Sequence, residues 1–527
     1  MRNKEGTDRH VAGAALDRRE FLGRTAALGV SAALIASSVG RSALAADTPG
    51  KGGHLKVGLI SGTVSDTLDP ATWNSGFMQI AGQMFYNQLT EVDENGKLVP
   101  VLAESWDVKP GATEWVFRIR KGVSFHNGKE LTAADVVYSI NHHRGKDSKS
   151  AARALLTPIK DLSTTGPNEL SVVLASGDLD LPYVFANAHL VIAPEGSKFD
   201  DAVGTGSYIF DSYKPGTVVS CHRNPNNWRP DRGFVESMEI LGVNDPTARL
   251  NGVESGSLHL INGVEPRIAA MLAKDSRVDL YSISGGGHET FPMRCDIAPF
   301  KDPNLRLAMK FAIDRESILK RVLGGYGKIG NDNPIPSYDP MFAGDIPQRQ
   351  YDPDKAAFYL KKAGYDGPIV LSVSEAAFVG AVDTGQIFQA SAKKAGIDIQ
   401  LQREPDSSYW DDVWMKKPFC ASSWLGKPTA NLLLSYIYKS DAPWNESFWK
   451  RPNFDALLIQ VRAESNEDKR KQMYHDLQMM IYEDGGSVIP IFNNYLNAGS
   501  KRLRGFVPNP AQDFANFRAP EIVWFAS

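Results

Sequence analysis

From Trp115 to Arg120 apolar and polar residues alternate with the two-residue period of a half-buried strand. Lys121-Gly122 turns the chain, Val123 to Phe125 extends again, and Asn127-Gly128 makes a second tight turn. The period then lengthens. Val136, Val137 and Ile140 make one apolar helical stripe, Thr132 stands where an N-cap belongs, and Asp135 three residues later completes a start of the capping-box type. Leu305, Ala308, Met309 and Ala312 predict another amphipathic helix. A third is bounded by its punctuation: Asp352 as N-cap, Pro353 at the first helical position and Gly364 as the stop.

The amino terminus reads as a removable export signal. Asp17-Arg18-Arg19-Glu20-Phe21-Leu22-Gly23 resembles a twin-arginine motif, with Arg18 and Arg19 as the signal residues. Thr25 to Val39 is too short and too weakly apolar for a membrane span, and Ala43-Leu44-Ala45 forms a cleavage pattern, so cutting is expected after Ala45. No Cys follows the apolar run, which excludes a lipid anchor there. Residues 1–46 hold seven Lys/Arg and four Asp/Glu, so the remainder carries 51 basic against 57 acidic groups. A mildly acidic surface has no general attraction for nucleic acid or anionic lipid. Cys221, Cys295 and Cys420 are widely spaced and read as small buried hydrophobes, although two of them could pair in an oxidising compartment. About 480 residues exceed one hydrophobic core, so more than one lobe is expected.

An ordered set of blocks resembles the family 5 extracytoplasmic solute-binding proteins, the peptide- and nickel-type binding components of ABC importers. These are Thr67-Leu68-Asp69-Pro70, the 101–140 stretch, Val203 to Tyr208, Arg223 to Trp228, Pro299 to Asp302, Leu305 to Arg315, and Tyr351 to Tyr365. The individual residues Arg223, Trp228, Asp314 and Arg315 read as turn, cap and packing groups. The resemblance implies an α/β fold of the periplasmic binding protein type II kind, bilobal with a hinge and an extra inserted lobe. It divides the chain into a signal (1–46), a first main lobe (47–90, 201–290 and 494–527), the inserted lobe (91–200) and a second main lobe (291–493). It further implies a periplasmic monomer that hands a small solute to an ABC permease and ATPase, without a cofactor and without membrane insertion after cleavage.

Residues 405–450 contain five of the ten tryptophans: Trp410, Trp414, Trp424, Trp444 and Trp449. Aromatic faces beside polar groups suit apolar side chains, sugar rings or cations. Ser422-Ser423-Trp424-Leu425-Gly426-Lys427-Pro428 is similar to the family segment G-W-x-G-D, whose Asp pairs with the ammonium of a peptide ligand. Here Lys427 replaces that Asp, and like-charge repulsion would oppose an ammonium. Peptides are then disfavoured unless Asp406, Asp411 or Asp412 substitutes; otherwise the ligand has a carboxylate, a phosphate or hydroxyls at that point. The candidate ligand contacts are Trp424, Lys427, Ser422, Ser423, Trp444, Asn445 and Trp73, with Glu446 as a further polar group.

Catalytic constellations are missing: there is no G-x-S-x-G, H-E-x-x-H or P-loop. Gly325 to Gly330 spells G-x-G-x-x-G, but Asn331-Asp332-Asn333-Pro334 cannot open the helix that would receive a pyrophosphate. His142-His143 are adjacent and the other histidines dispersed, which predicts no metal site.

Overall fold

Two long strands set the architecture of the computed structural model, which describes residues 49–526. Arg18, Arg19 and the cleavage pattern at Ala45 lie outside the described residues. Val278–Pro292 and Ser487–Ser500 pair antiparallel and form the spine of a nine-stranded sheet. On one side Val278–Pro292 takes up the short strand Ser422–Trp424, and Gly327–Ile329 pairs with Ser487–Ser500. Beyond Ser487–Ser500 the order continues through Leu260–Ile261, His54–Leu59, Ser237–Gly242, Val218–Arg223 and Tyr208–Lys214. His54–Leu59 runs parallel to both its neighbours, and the outer pairs are antiparallel hairpins.

The two long strands serve different cores at their two ends. Val278, Leu496 and Ala498 pack with the helices Pro246–Ser255 and Pro266–Leu272, beside the core of Leu55, Val57, Phe77 and Met238. Phe291, Val488 and Ile491 belong to the core built on the parallel pair Ile369–Val373 and Ile399–Arg403 and the helices Pro303–Ala312, Pro353–Ala363 and Ala381–Lys393. The register shifts between Ser284 and His288, where the chain reads Gly285-Gly286-Gly287. A shift of this kind bends a strand and weakens its ladder locally, which makes it a natural flexing point. A Cβ on Gly286 would stand 2.8 Å from the Cα of Gly426, so glycine lets the spine and the 425–428 loop approach.

The strand and helix expected between Trp115 and Ile140 both form. Glu114–Ile119 is a strand with Trp115, Phe117 and Ile119 buried, and it lies within the antiparallel sheet Ala103–Val108, Glu114–Ile119, Glu169–Leu174, Ile159–Gly166. The helix Ala133–His142 carries the Thr132/Asp135 capping box. Together these elements enclose a core running from Leu89 to Ile192, joined by Leu432 of the helix Ala430–Ile437. Ionic contacts tie this region to the helices Pro452–Arg462 and Glu467–Asp484: Arg462 to Asp178 at 2.7 Å and Arg470 to Asp180 at 2.6 Å. All three cysteines are free.

Candidate functional site

Three segments remote in sequence wall one cavity of about 330 Å³. The helix Gly76–Phe85 presents Gln79 and Gln83, and its start is fixed by Ser75, which accepts from the Met78 amide. The C-terminal stretch 511–518 supplies Gln512, Asp513 and Arg518. The loop 425–428 brings Lys427 from the far side of the spine. That loop is held at both ends: Trp424 pairs with His288 in the sheet, and Thr429 caps the helix Ala430–Ile437 by accepting from the Leu432 amide. Gln512 Nε2 donates to the Gly426 carbonyl at 2.9 Å and joins the two walls directly.

The C-terminal wall has an unusual backbone. Phe514, Ala515, Asn516 and Phe517 have φ of 56°, 56°, 57° and 64°, one turn of left-handed helix made of residues with side chains. Such a turn costs on the order of 1–2 kcal/mol per residue and persists only where its surroundings impose it. Here Asn262 and Asn497 donate to the two oxygens of Asp513, at 3.4 and 3.0 Å, and Asn516 donates to the Val92 carbonyl at 3.1 Å. The turn aims Asp513 and Arg518 at the cavity.

The acids of this lining are already engaged. Burial pushes the Glu91 carboxyl up, but the guanidinium groups of Arg518 and Arg229 hold it down at about 2, and Arg518 also donates to Gln88. Burial raises the Asp513 carboxyl, and its two amide donors only partly offset this. His189 is kept toward its neutral form by burial, with Nε2 within 2.9 Å of the Trp73 carbonyl. Lys427 is different. Burial alone lowers its pKa, and its nearest partner is the face of Tyr436, 5.3 Å from Nζ. Among the described residues it has no carboxylate within ion-pair distance, so the cavity carries one positive charge without a counter-ion.

Behind the loop the aromatic residues form a contiguous track. Trp410, Trp414, Trp424, Trp444 and Tyr436 meet ring to ring with centroid separations of 5.4–6.3 Å. Buried Glu446 fixes it: Trp414 Nε1 and Trp424 Nε1 donate to its two oxygens at 2.6 and 2.9 Å, and Ser422 Oγ donates at 2.8 Å. The track surfaces at Trp410 and Trp444, which are 43% and 37% exposed.

The residues chosen from sequence therefore fall in different places. Lys427 lines the cavity. Trp424 and Trp444 lie in the aromatic track, with Trp424 turned toward Glu446. Ser422 is spent on Glu446, and Ser423 donates to the Ala377 carbonyl. Asn445 closes a turn by donating to the Trp449 carbonyl. Trp73 is buried against Gly82 and reaches the cavity wall only through its carbonyl. Sequence reasoning passed over Gln79, Gln83, Gln512, Asp513 and Arg518. Of these, only the Gln79/Gln83 pair had a local signal, two carboxamides four residues apart on one helical face.

A cavity of this size, walled by segments hung on two shared strands, has the form of a site for a small solute. The chain belongs to the bacterial extracellular solute-binding proteins, family 5, whose middle-region model matches residues 97–446. It is 25% identical over 477 residues to heme-binding protein A of Haemophilus influenzae, covering 82% of this chain and 85% of that one. It is 24% identical over 508 residues to the glutathione-binding protein GsiB of Pectobacterium atrosepticum, covering 92% and 95%. Among solved structures, the PBP AgaA of A. tumefacien R10 in complex with agropinic acid superposes with a TM-score of 0.76 at 23% identity, covering 90% of this chain and 99% of that one. No helix among the described residues is long and apolar enough to cross a membrane.

Proposed function

We propose that this protein is the exported capture component of an ABC importer and that it takes up a small acidic, hydroxyl-rich solute, without chemistry of its own. The observation that carries the reading is Lys427: an ammonium on a cavity lining whose carboxylates are already occupied attracts an anion and repels the ammonium of a peptide. Gln79 and Gln512 on the lining each donate to a backbone carbonyl, of Trp73 and Gly426, and each keeps an amide oxygen that can accept from a hydroxyl. The relatives and the structural neighbour fit a family whose members capture glutathione, heme or agropinic acid, and the last of these is an acid. The solute passes as a unit from a monomeric binding protein in the periplasm to the permease and its ATPase, after removal of the amino-terminal export signal.

A thermal-shift screen of short peptides, neutral sugars, sugar acids, opine-type conjugates and nickel chelates tests this, because a ligand raises apparent stability by mass action. Acids should give the largest shifts, and bound solute should be recovered unchanged. Lys427→Asp should weaken acid binding by roughly tenfold or more and favour dipeptides. If unmodified dipeptides gave the largest shifts and Lys427→Asp left them unmoved, a conventional peptide binder would replace this reading.

A further inference from the structure

Charge discrimination in this cleft has a second stage, beyond contact between Lys427 and a solute. The inference rests on the reading of the cavity as the solute site. Lys427 shares the cavity lining with the 511–518 stretch and with His189, whose pKa its charge lowers, and burial lowers its own. The loop it sits on is grasped at neighbouring positions by groups that need no ligand. Gln512 donates to the Gly426 carbonyl at 2.9 Å, and Gly426 packs directly on Gly286 at the register shift of the spine. These neutral contacts favour approach of the walls whether or not the cavity is filled.

The charge works the other way. With the walls apart, water solvates the ammonium. With the walls together it is half-buried, loses part of its hydration and is left with one aromatic face at 5.3 Å. Removing a charge from water without a counter-ion is strongly unfavourable, more so than a neutral hydrogen bond is favourable. We propose that the unneutralised Lys427 ammonium makes closure itself conditional on an anion: it holds the empty or neutral-filled cleft open, and an acid releases it by supplying the missing counter-charge. A ligand shifts a conformational equilibrium only by its differential affinity for the two states, and here the differential contact is one ion pair. A neutral solute can enter and be held weakly, but it leaves the cleft open.

Small-angle scattering on the purified protein reads this directly. The free wild type should give the larger radius of gyration, unchanged by saturating neutral sugar and reduced by the acid with the largest thermal shift. Lys427→Met keeps the length of the side chain and removes the charge. Its free form should already give the reduced radius, and its affinity for the acid should fall by roughly tenfold or more. Lys427→Gln should repeat the compact free state, which guards against a folding defect peculiar to Met, and Lys427→Arg should restore the open one. A free Lys427→Met as expanded as the free wild type, with Lys427→Gln the same, would overturn the inference. So would a free wild type already as compact as its acid complex. The radius of the ligand-free variants does not depend on which solute binds, so failure of the proposed solute class registers separately, as absence of any acid shift in the wild type.

Discussion

Glu289 is a buried carboxyl held by neither a cation nor a good hydrogen bond. It lies on the spine opposite Ile491 and Ser423, fully buried, and neither carboxyl oxygen has a hydrogen-bond partner among the described residues. Burial pushes its carboxyl up to about 8, with nearby Asn493 offsetting this only in part. The folded protein therefore binds a proton between the unfolded value of 4.5 and about 8 that the unfolded chain does not. Stability is full below 4.5 and falls as pH rises through that window. The loss approaches about 5 kcal/mol at 1.36 kcal/mol per pH unit. Glu289→Gln keeps the shape and removes the titration. Melting temperatures from pH 5 to 8 should decline for the wild type and stay flatter for the variant, which should be the more stable at pH 8. Parallel curves would show that Glu289 is hydrated or paired in solution.

Among the elements, the cleft helix Gly76–Phe85 shows where intrinsic preference and packing disagree. Replacing a mid-helix glycine by alanine normally stabilises by about 0.5–1 kcal/mol. At Gly82 a Cβ would stand 2.0 Å from the Trp73 ring, and overpacking of this kind costs roughly 1–3 kcal/mol. The larger effect decides the sign: Gly82→Ala should lower the melting temperature and, by displacing the helix that carries Gln79 and Gln83, weaken solute binding. A stabilised variant would mean that Trp73 has room to move. The same contrast explains what could be read from the chain. Helix starts at Thr132 and Asp352 were legible because a cap is a contact among residues three apart. The stop at Gly364, φ 63°, was legible because glycine tolerates that conformation best. The left-handed turn Phe514–Phe517 was not, since its supports Asn262 and Asn497 come from elsewhere in the chain. Lys427 stood out as a departure from a known pattern, whereas Gln512 and Arg518 acquire meaning only once the fold sets them opposite it. Ser422 and Asn445 looked like ligand contacts because polar residues among aromatics suit a site; in the fold their groups are spent on Glu446 and on a turn.

For the whole molecule, binding, closure and protonation become one equilibrium through Lys427. With the cleft closed and empty, burial holds its pKa below the ordinary 10.5, so in the free protein loss of the proton and closure are coupled and the apparent pKa lies below that of an exposed lysine; a bound anion pushes it back up. A group with a higher pKa in the complex than in the free protein favours the complex at low pH. Affinity for an acid should therefore be level while the solute is ionised and Lys427 is charged. It should fall as pH rises through the depressed pKa of the free protein, by up to about tenfold per unit, and level again above the pKa in the complex. An exposed lysine would show the fall only near 10.5. Calorimetric titration from pH 6 to 10 measures it, and in buffers of different ionisation enthalpy the same experiment counts protons taken up on binding. Uptake should appear where affinity falls and be absent from Lys427→Met. An affinity independent of pH up to 10, with no proton uptake, would place the charge that meets the solute somewhere other than Lys427.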